Sequence, residues 1–198
     1  MEVIAVAQLD RLICKIERMD SRKSLEVLLN QTTLLKQCHN VDHWVFMADV
    51  EGIKRVPPQI QDFLGIKLVT SLKGDPLDEF YQAASIPRRK SESPFFNPTV
   101  VRVIPGANEP DPDLIDAMIE NHRDRGLDYC RSEASDDGLN PFIELMSFSS
   151  LDEAWREALL PDDRENITPY IYRQHQRLNV GTYRLQDSQA QGFQSLLA

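Results

Sequence analysis

A chain of 198 residues, 41% of them hydrophobic, is long enough for one domain with a sizeable core, since about 150 residues per domain is the usual guide. Its 31 acidic against 22 basic residues leave a formal charge of −9, which argues against a broad electrostatic grip on nucleic acid or anionic lipid, so a phosphate ligand would have to be held locally. No apolar run reaches the roughly 18 residues that cross a bilayer, and MEVIAVAQLDR has neither a basic leader nor a small-residue cleavage site; a cytoplasmic protein is expected.

Along the chain, VIAVA (3–7) and LICKI (12–16) predict strands, SLEVLLNQTTLLKQC (24–38) has helical spacing, and WVFMA (44–48) predicts a third strand. FLGIKLV (63–69) reads as a helix end, with Gly65 as C-cap, running into a short strand. DPLDEFYQAA (75–84) predicts a helix capped by Asp75 with Pro76 in its first turn. SIPRRKSESPFFNP (85–98) carries three prolines, three consecutive basic residues and two phenylalanines, and predicts a mobile surface loop inserted in the domain.

VVRVI (100–104) predicts a buried strand, and Asp111-Pro112 opens a helix whose Leu114, Ile115, Met118 and Ile119 share one face and which stops before Gly126. FIELMSF (142–148) predicts a strand leading into a capping box, Ser150 to Glu153, that opens the helix LDEAWREAL. This alternation predicts a three-layer α/β/α sandwich with a mainly parallel sheet, in a single domain over 1–198. Ligands of such sheets bind beyond the carboxyl ends of the strands, which points to the loops after LICKI and VVRVI. Cys14, Cys38 and Cys130 are odd in number and scattered, as expected of buried thiols in a reducing compartment.

Four stretches, in a common order and at nearly common spacing, carry a family resemblance. GIKLV followed by DPLDEFYQAA resembles a short strand before D-V-L-D-R-F-Y-Q-A-A. VVRVIPGANEPDPDLID resembles V-V-R-V-T-G-D-C-P-L-I-D-P-E-L-I-D at Val100, Val101, Arg102, Val103, Asp111, Pro112, Leu114, Ile115 and Asp116. DDGLNPFIELMSFSSLDEAWREA resembles P-D-G-L-D-V-E-V-F-S-F-E-A-L-E-R-A-W-R-E-A, with two extra residues after Leu139, and DDRENITPYIYR resembles E-R-E-H-V-T-P-Y-I. From about residue 12 to residue 184 the chain thus resembles the cytidylyltransferase-like sugar nucleotidyltransferases, the acylneuraminate and keto-deoxy-octulosonate cytidylyltransferases among them, and most of all the spore coat polysaccharide biosynthesis protein F type.

The resemblance implies a nucleotide-diphospho-sugar transferase (Rossmann-like) fold and a reaction in which a sugar hydroxyl attacks the α-phosphate of CTP and pyrophosphate leaves. It implies Mg2+ if the protein is active, CTP, a CMP-sugar or a sugar acid as ligand, and a homodimer as an arrangement found in the family. Charge on the triphosphate has to be neutralised by cations and oriented donors, and magnesium is normally held by carboxylates.

Departures from the family pattern fall on those segments. The nucleotide loop, near R-M-G-S-T-R-L-P-G-K in the family, has RMDSRKSLEVL (18–28) as its counterpart: Arg18, Met19 and Ser21 match, Arg22 stands for the second arginine, and Lys23 adds a charge, so that the resemblance implies Arg18, Ser21, Arg22 and Lys23, with Arg102 of VVRV, as the nucleotide-binding residues. Asp20 replaces the glycine, and no glycine precedes Gly52, so no glycine-rich turn can wrap a triphosphate there. The metal-binding aspartate aligns with Gly106; Glu109 or Asp111 is the nearest substitute, although Asp111 also suits a helix cap. The family's W-T-V-D-T-P-E-D-L has no counterpart in GTYRLQDSQAQGFQSLLA, where Asp187 is the nearest acid.

On the sugar side Asp137, Gly138 and Glu144 match, a pattern that a turn plus a buried strand would also produce. Arg164 and Glu165 suggest an ion pair near a helix start, and Cys38, His39 and His43 offer metal-ligand types without a fourth ligand. No Walker loop, G-x-S-x-G elbow or H-E-x-x-H occurs. Three readings follow: a nucleotidyltransferase framework that binds nucleotide, sugar or a protein partner without efficient catalysis, an active cytidylyltransferase with a rearranged metal site, or a scaffold docking partners through Phe95 and Phe96 of the 85–98 loop.

Overall fold

The structure, a computed structural model, describes residues 2–9, 12–13, 21–48, 54, 56, 58, 61–62, 67–68, 74–88, 97–105, 109–133 and 142–183, and of residues 21–25, 67–68 and 88 the backbone. Among the described residues seven strands, β1 (Val3–Gln8), β2 (His43–Ala48), β3 (Lys67–Leu68), β4 (Thr99–Ile104), β5 (Tyr129–Ser132), β6 (Phe142–Ser147) and β7 (Val180–Tyr183), form one sheet in the order β3-β2-β1-β4-β6-β5-β7. Only β6 runs against the rest: it is antiparallel to β4 and to β5, while the other neighbours are parallel. The mainly parallel sheet read from the sequence is therefore present.

Helices cover both faces, as a sheet buried on two sides requires. On one face α1 (Ser21–Leu35) and α3 (Pro112–Asp124) press Leu28, Leu35, Ile115, Met118 and Ile119 onto Ala5, Phe46, Val101, Val103 and Leu145. On the other, α2 (Pro76–Arg88), α4 (Phe148–Glu157), α5 (Pro161–Asn166) and α6 (Pro169–Arg173) place Leu77, Phe80, Leu151, Ile167 and Ile171 against Ile4, Val6, Val100 and Met146. No helix among the described residues is long and apolar enough to cross a membrane.

Several local expectations change. Leu12 and Ile13 are helical, not the start of a strand, and the Ile13 N–H donates to the Leu9 carbonyl at 2.8 Å. Leu9, Leu12 and Ile13 have i, i+3, i+4 spacing, and a short apolar run cannot distinguish helix from strand by periodicity. The strand end that opens the site is thus Gln8. Ser147, not Ser150, caps α4: its Oγ accepts from the Ser150 N–H at 3.2 Å, so that the buried Phe148 begins the helix and enters the core. Helix α2 continues through Pro87 to Arg88, four residues into the expected loop; 89–96, with Phe95 and Phe96, lie outside the described residues, as do Cys14, Gly65 and Asp187.

Asp75 does cap α2, its Oδ1 accepting from the Asp78 N–H at 3.0 Å, and Asp111 caps α3. Cys38 and Cys130 are buried free thiols, and burial pushes Cys38 up to about 12 and Cys130 to about 11.

Candidate functional site

The chain turns from β1 to β2 and β3 on one side and returns to β4 on the other, so the carboxyl ends of β1 and β4 form the switch point where open α/β sheets take ligands. Gln8 ends β1 there, and Arg102 projects from β4 towards the α2 side of the sheet. Arg102 Nε donates to Gln8 Oε1 at 2.8 Å, and Nη1 donates to Glu144 Oε2 at 2.6 Å and to the Asn166 carbonyl at 3.5 Å. The guanidinium carbon also stands 5.9 Å from the centre of the Phe80 ring.

Glu144, fully buried on β6, uses its other oxygen as well. Oε1 accepts from Thr168 Oγ1 at 2.7 Å and, in a short hydrogen bond, from the Tyr129 hydroxyl. A buried carboxylate with a guanidinium on one oxygen and two hydroxyls on the other is fully satisfied, the condition under which an interior ion pair is tolerated. Burial and the Glu144 charge push the Tyr129 phenol well above its ordinary value, so it stays protonated and donates.

Thr168 and Asn166 reach this pair through a strained turn. Ile167 has φ 74° and ψ −52°, and the Thr168 N–H donates to the Asn166 carbonyl at 2.9 Å, which makes a γ-turn with a β-branched residue in the left-handed region. Such a conformation costs about 1–3 kcal/mol and persists only where its surroundings enforce it. Here the fully buried Ile167 side chain packs with the α2–α4 core, and buried Asp163 takes Arg173 on both carboxylate oxygens. Arg164 pairs not with Glu165 but with Asp75, Nη2 to Oδ2 at 2.5 Å, because its guanidinium turns back across α5 to the start of α2.

The residues expected from the sequence fall into four groups. Arg102 and Glu144, to which separate nucleotide and sugar roles were assigned, are brought together as one ion pair. Ser21, Arg22 and Lys23 supply the first turn of α1, while Arg18, Gly106, Asp137 and Gly138 lie outside the described residues. Asp111 is exposed, and its Oδ1 accepts from the N–H groups of Asp113 at 3.0 Å and Leu114 at 3.3 Å; Glu109 Oε1 accepts from Asn30 Nδ2 at 2.7 Å.

Among the described residues no three His, Cys, Asp or Glu side chains converge into a group that could hold a metal ion. Nor do Cys38, His39 and His43 gather: Cys38 is buried, the His39 N–H donates to Asp116, and His43 meets Glu2 at 2.7 Å. Gln8, Tyr129 and Thr168 were missed by the sequence reading. Thr168 lies within ITPYIY, a stretch that carries the resemblance, whereas Gln8 and Tyr129 are placed by strand register alone.

No protein-family model matches the chain. It is 28% identical over 156 residues to the uncharacterized protein MJ1063 of Methanocaldococcus jannaschii; the match covers 78% of this chain and 58% of that protein, so the chain spans little more than half of this relative's length. In structure it is similar to a cytidylyltransferase from Leptospira borgpetersenii, with TM-score 0.65 and 15% identity over 92% of this chain and 75% of the other. It is also similar to CMP:2-keto-3-deoxy-manno-octonic acid synthetase complexed with CTP, with TM-score 0.55 and 10% identity over 93% of this chain and 90% of the other. At these identities the likeness is one of fold.

Proposed function

Because the chain carries the cytidylyltransferase-like nucleotidyltransferase fold, we propose that it binds a cytidine nucleotide, CTP or a CMP-sugar, at the carboxyl edge of β1 and β4 without efficient nucleotidyl transfer. The observation that carries this reading is the state of the carboxylates. Glu144 is consumed by Arg102, Tyr129 and Thr168, Asp111 is engaged in capping α3, and the position aligned with the family's metal aspartate is Gly106. The phosphates would meet the start of α1, whose first turn is built from Ser21, Arg22 and Lys23. The resemblance assigns the sugar end to Asp137, Gly138 and Glu144, of which Glu144 lies beside Arg102. The setting of this reading is the cytoplasm, in relation to CMP-sugar synthesis for cell-surface or spore polysaccharide, with the chain acting as a homodimer or with a protein partner.

Calorimetric titration with CTP, with and without magnesium, together with product analysis on candidate sugar acids, tests this. Saturable CTP binding without CMP-sugar formation is expected; robust CMP-sugar synthesis overturns it. One observation favours a rival reading, an active enzyme with a rearranged metal site: Glu109 and Asp111 are both exposed just beyond β4. That reading requires magnesium-dependent CTP turnover that falls in Asp111→Asn.

A further inference from the structure

Among the described residues three large hydrophobic side chains are exposed, and two of them are neighbours: Leu159, 88% exposed, and Leu160, 57%, in the link between α4 and α5. The backbone on both sides of them is fixed. The Ala158 N–H donates to the Ala154 carbonyl at 2.9 Å, and the Leu160 carbonyl accepts from the N–H groups of Asp163 at 3.1 Å and Arg164 at 3.2 Å. Arg164 Nη1 donates to the Trp155 carbonyl at 2.9 Å and to the Ala158 carbonyl at 3.4 Å, while the same guanidinium holds Asp75. Ala158 is buried in the α2–α4 core, and the two leucines that follow it stand in solvent.

Their surroundings are acidic. Between residues 152 and 177 every arginine is committed to a carboxylate: Arg156 to Asp152, Arg164 to Asp75, Arg173 to Asp163 and Arg177 to Glu153. Glu157, Asp162 and Glu165, which flank the leucines, are exposed, and among the described residues no basic side chain pairs with them. An apolar pair flanked by three uncompensated carboxylates suits a partner that brings apolar and basic side chains together.

The chain itself contains such a segment. Residues 88–96, RRKSESPFF, hold three consecutive bases against one acid, followed by two phenylalanines, in a chain of net charge −9. Within one copy the phenylalanines fall short of the leucines. The Asn97 side chain accepts from the Ser149 N–H at 2.8 Å, at the start of α4, and the leucines follow the other end of that helix. Phe95 is two residues from Asn97, about 7 Å of fully extended chain, whereas α4 separates Ser149 from the leucines by about 15 Å. A second copy is under no such limit.

We propose that the Leu159–Leu160 face docks a second copy of this chain, which brings its basic and aromatic segment 88–96 to the leucines and to Glu157, Asp162 and Glu165. Face and segment belong to opposite ends of α2 and α4, so two copies laid antiparallel along these helices satisfy the contact twice and the pair closes. The assignment does not rest on the nucleotide reading.

The test uses sedimentation velocity on the full chain as wild type and as three variants: Leu159→Ser with Leu160→Ser, Phe95→Ser with Phe96→Ser, and Glu157→Gln with Asp162→Asn and Glu165→Gln. Urea midpoints establish that each is folded. The wild type should dimerise. The leucine and phenylalanine variants should each weaken the dimer by about 10-fold or more, and the carboxylate variant several-fold with loss of most of the salt dependence. An equimolar mixture of the leucine and phenylalanine variants should associate more tightly than either alone, because one intact face then meets one intact segment; a misfolded variant could not restore its partner. The peptide SIPRRKSESPFFNP, residues 85–98, should dissociate the wild-type dimer.

A monomeric wild type, or a dimer that the leucine substitutions leave unchanged, overturns the proposal. So does a mixture no tighter than its components. If the leucine variant is weakened while the phenylalanine variant associates as wild type does, another part of the second copy covers the face and the assignment of segment 88–96 is overturned.

Discussion

Arg102 and Glu144 face each other in register across β4 and β6, Nη1 2.6 Å from Oε2, with the Glu144 side chain 1% exposed. Each charge is tolerable only because the other is present. Glu144→Gln should leave Arg102 without its counter-charge in the interior and cost about 3–5 kcal/mol, read as a fall in urea midpoint. The double substitution Arg102→Met with Glu144→Gln should cost less than the sum of the two single changes; simple additivity would mean that the pair is not energetically coupled.

Asp111 offers a clean separation of capping from metal binding. Asparagine caps helices about as well as aspartate, so Asp111→Asn should change stability by no more than a few tenths of a kcal/mol, whereas Asp111→Ala should cost about 1 kcal/mol. With CTP and magnesium, Asp111→Asn should bind as wild type does. A loss of magnesium-dependent affinity in that variant would place Asp111 on the metal.

His122 on α3 is 4% exposed, neither ring nitrogen has a hydrogen-bond partner among the described residues, and burial lowers its pKa to about 4, opposed only in part by Asp128. An unfolded histidine titrates near 6.5, so between about pH 6.5 and pH 4 the unfolded chain binds the extra proton. Stability should therefore fall with pH across that window, by an amount on the order of 3 kcal/mol from this group. His122→Leu should flatten the dependence, which denaturant midpoints at pH 7 and pH 5 would reveal. An undiminished slope in the variant would assign the acid sensitivity elsewhere.

Gly126 ends α3 at φ 56°, with its own N–H on the Arg123 carbonyl at 3.1 Å and the Leu127 N–H on the His122 carbonyl at 3.0 Å. This is the paired closure that a residue in the left-handed conformation allows at a helix end. A Cβ there would meet nothing within 4 Å, so Gly126→Ala isolates the conformational cost, about 1 kcal/mol by thermal or urea unfolding. A neutral result would mean that the turn relaxes.

Much of the architecture was legible because it is written locally. VIAVA, WVFMA and VVRVI are apolar runs of strand length, and Asp75-Pro76 and Asp111-Pro112 mark helix starts by their own hydrogen-bonding capacity. Leu12 and Ile13 were misread because a two-residue apolar pair fits either period, and Ser150 because three serines, 147, 149 and 150, all offer capping oxygens. The site was legible only as a list: Arg102 and Glu144 could be named, but with separate ligand roles.

The sequence by itself determined the alternation of strands and helices, the caps of α2 and α3, and the presence of glycine at position 106, since each depends on residues within a few positions of one another. Only the tertiary structure decided that Arg102 spends its charge on Glu144 and that Tyr129 and Thr168 close that pair. Those relations depend on strand register and on the strained turn at Ile167, which bring together residues 15 to 64 positions apart. Sequence periodicity assigns a residue to a face; pairing and packing choose its neighbour.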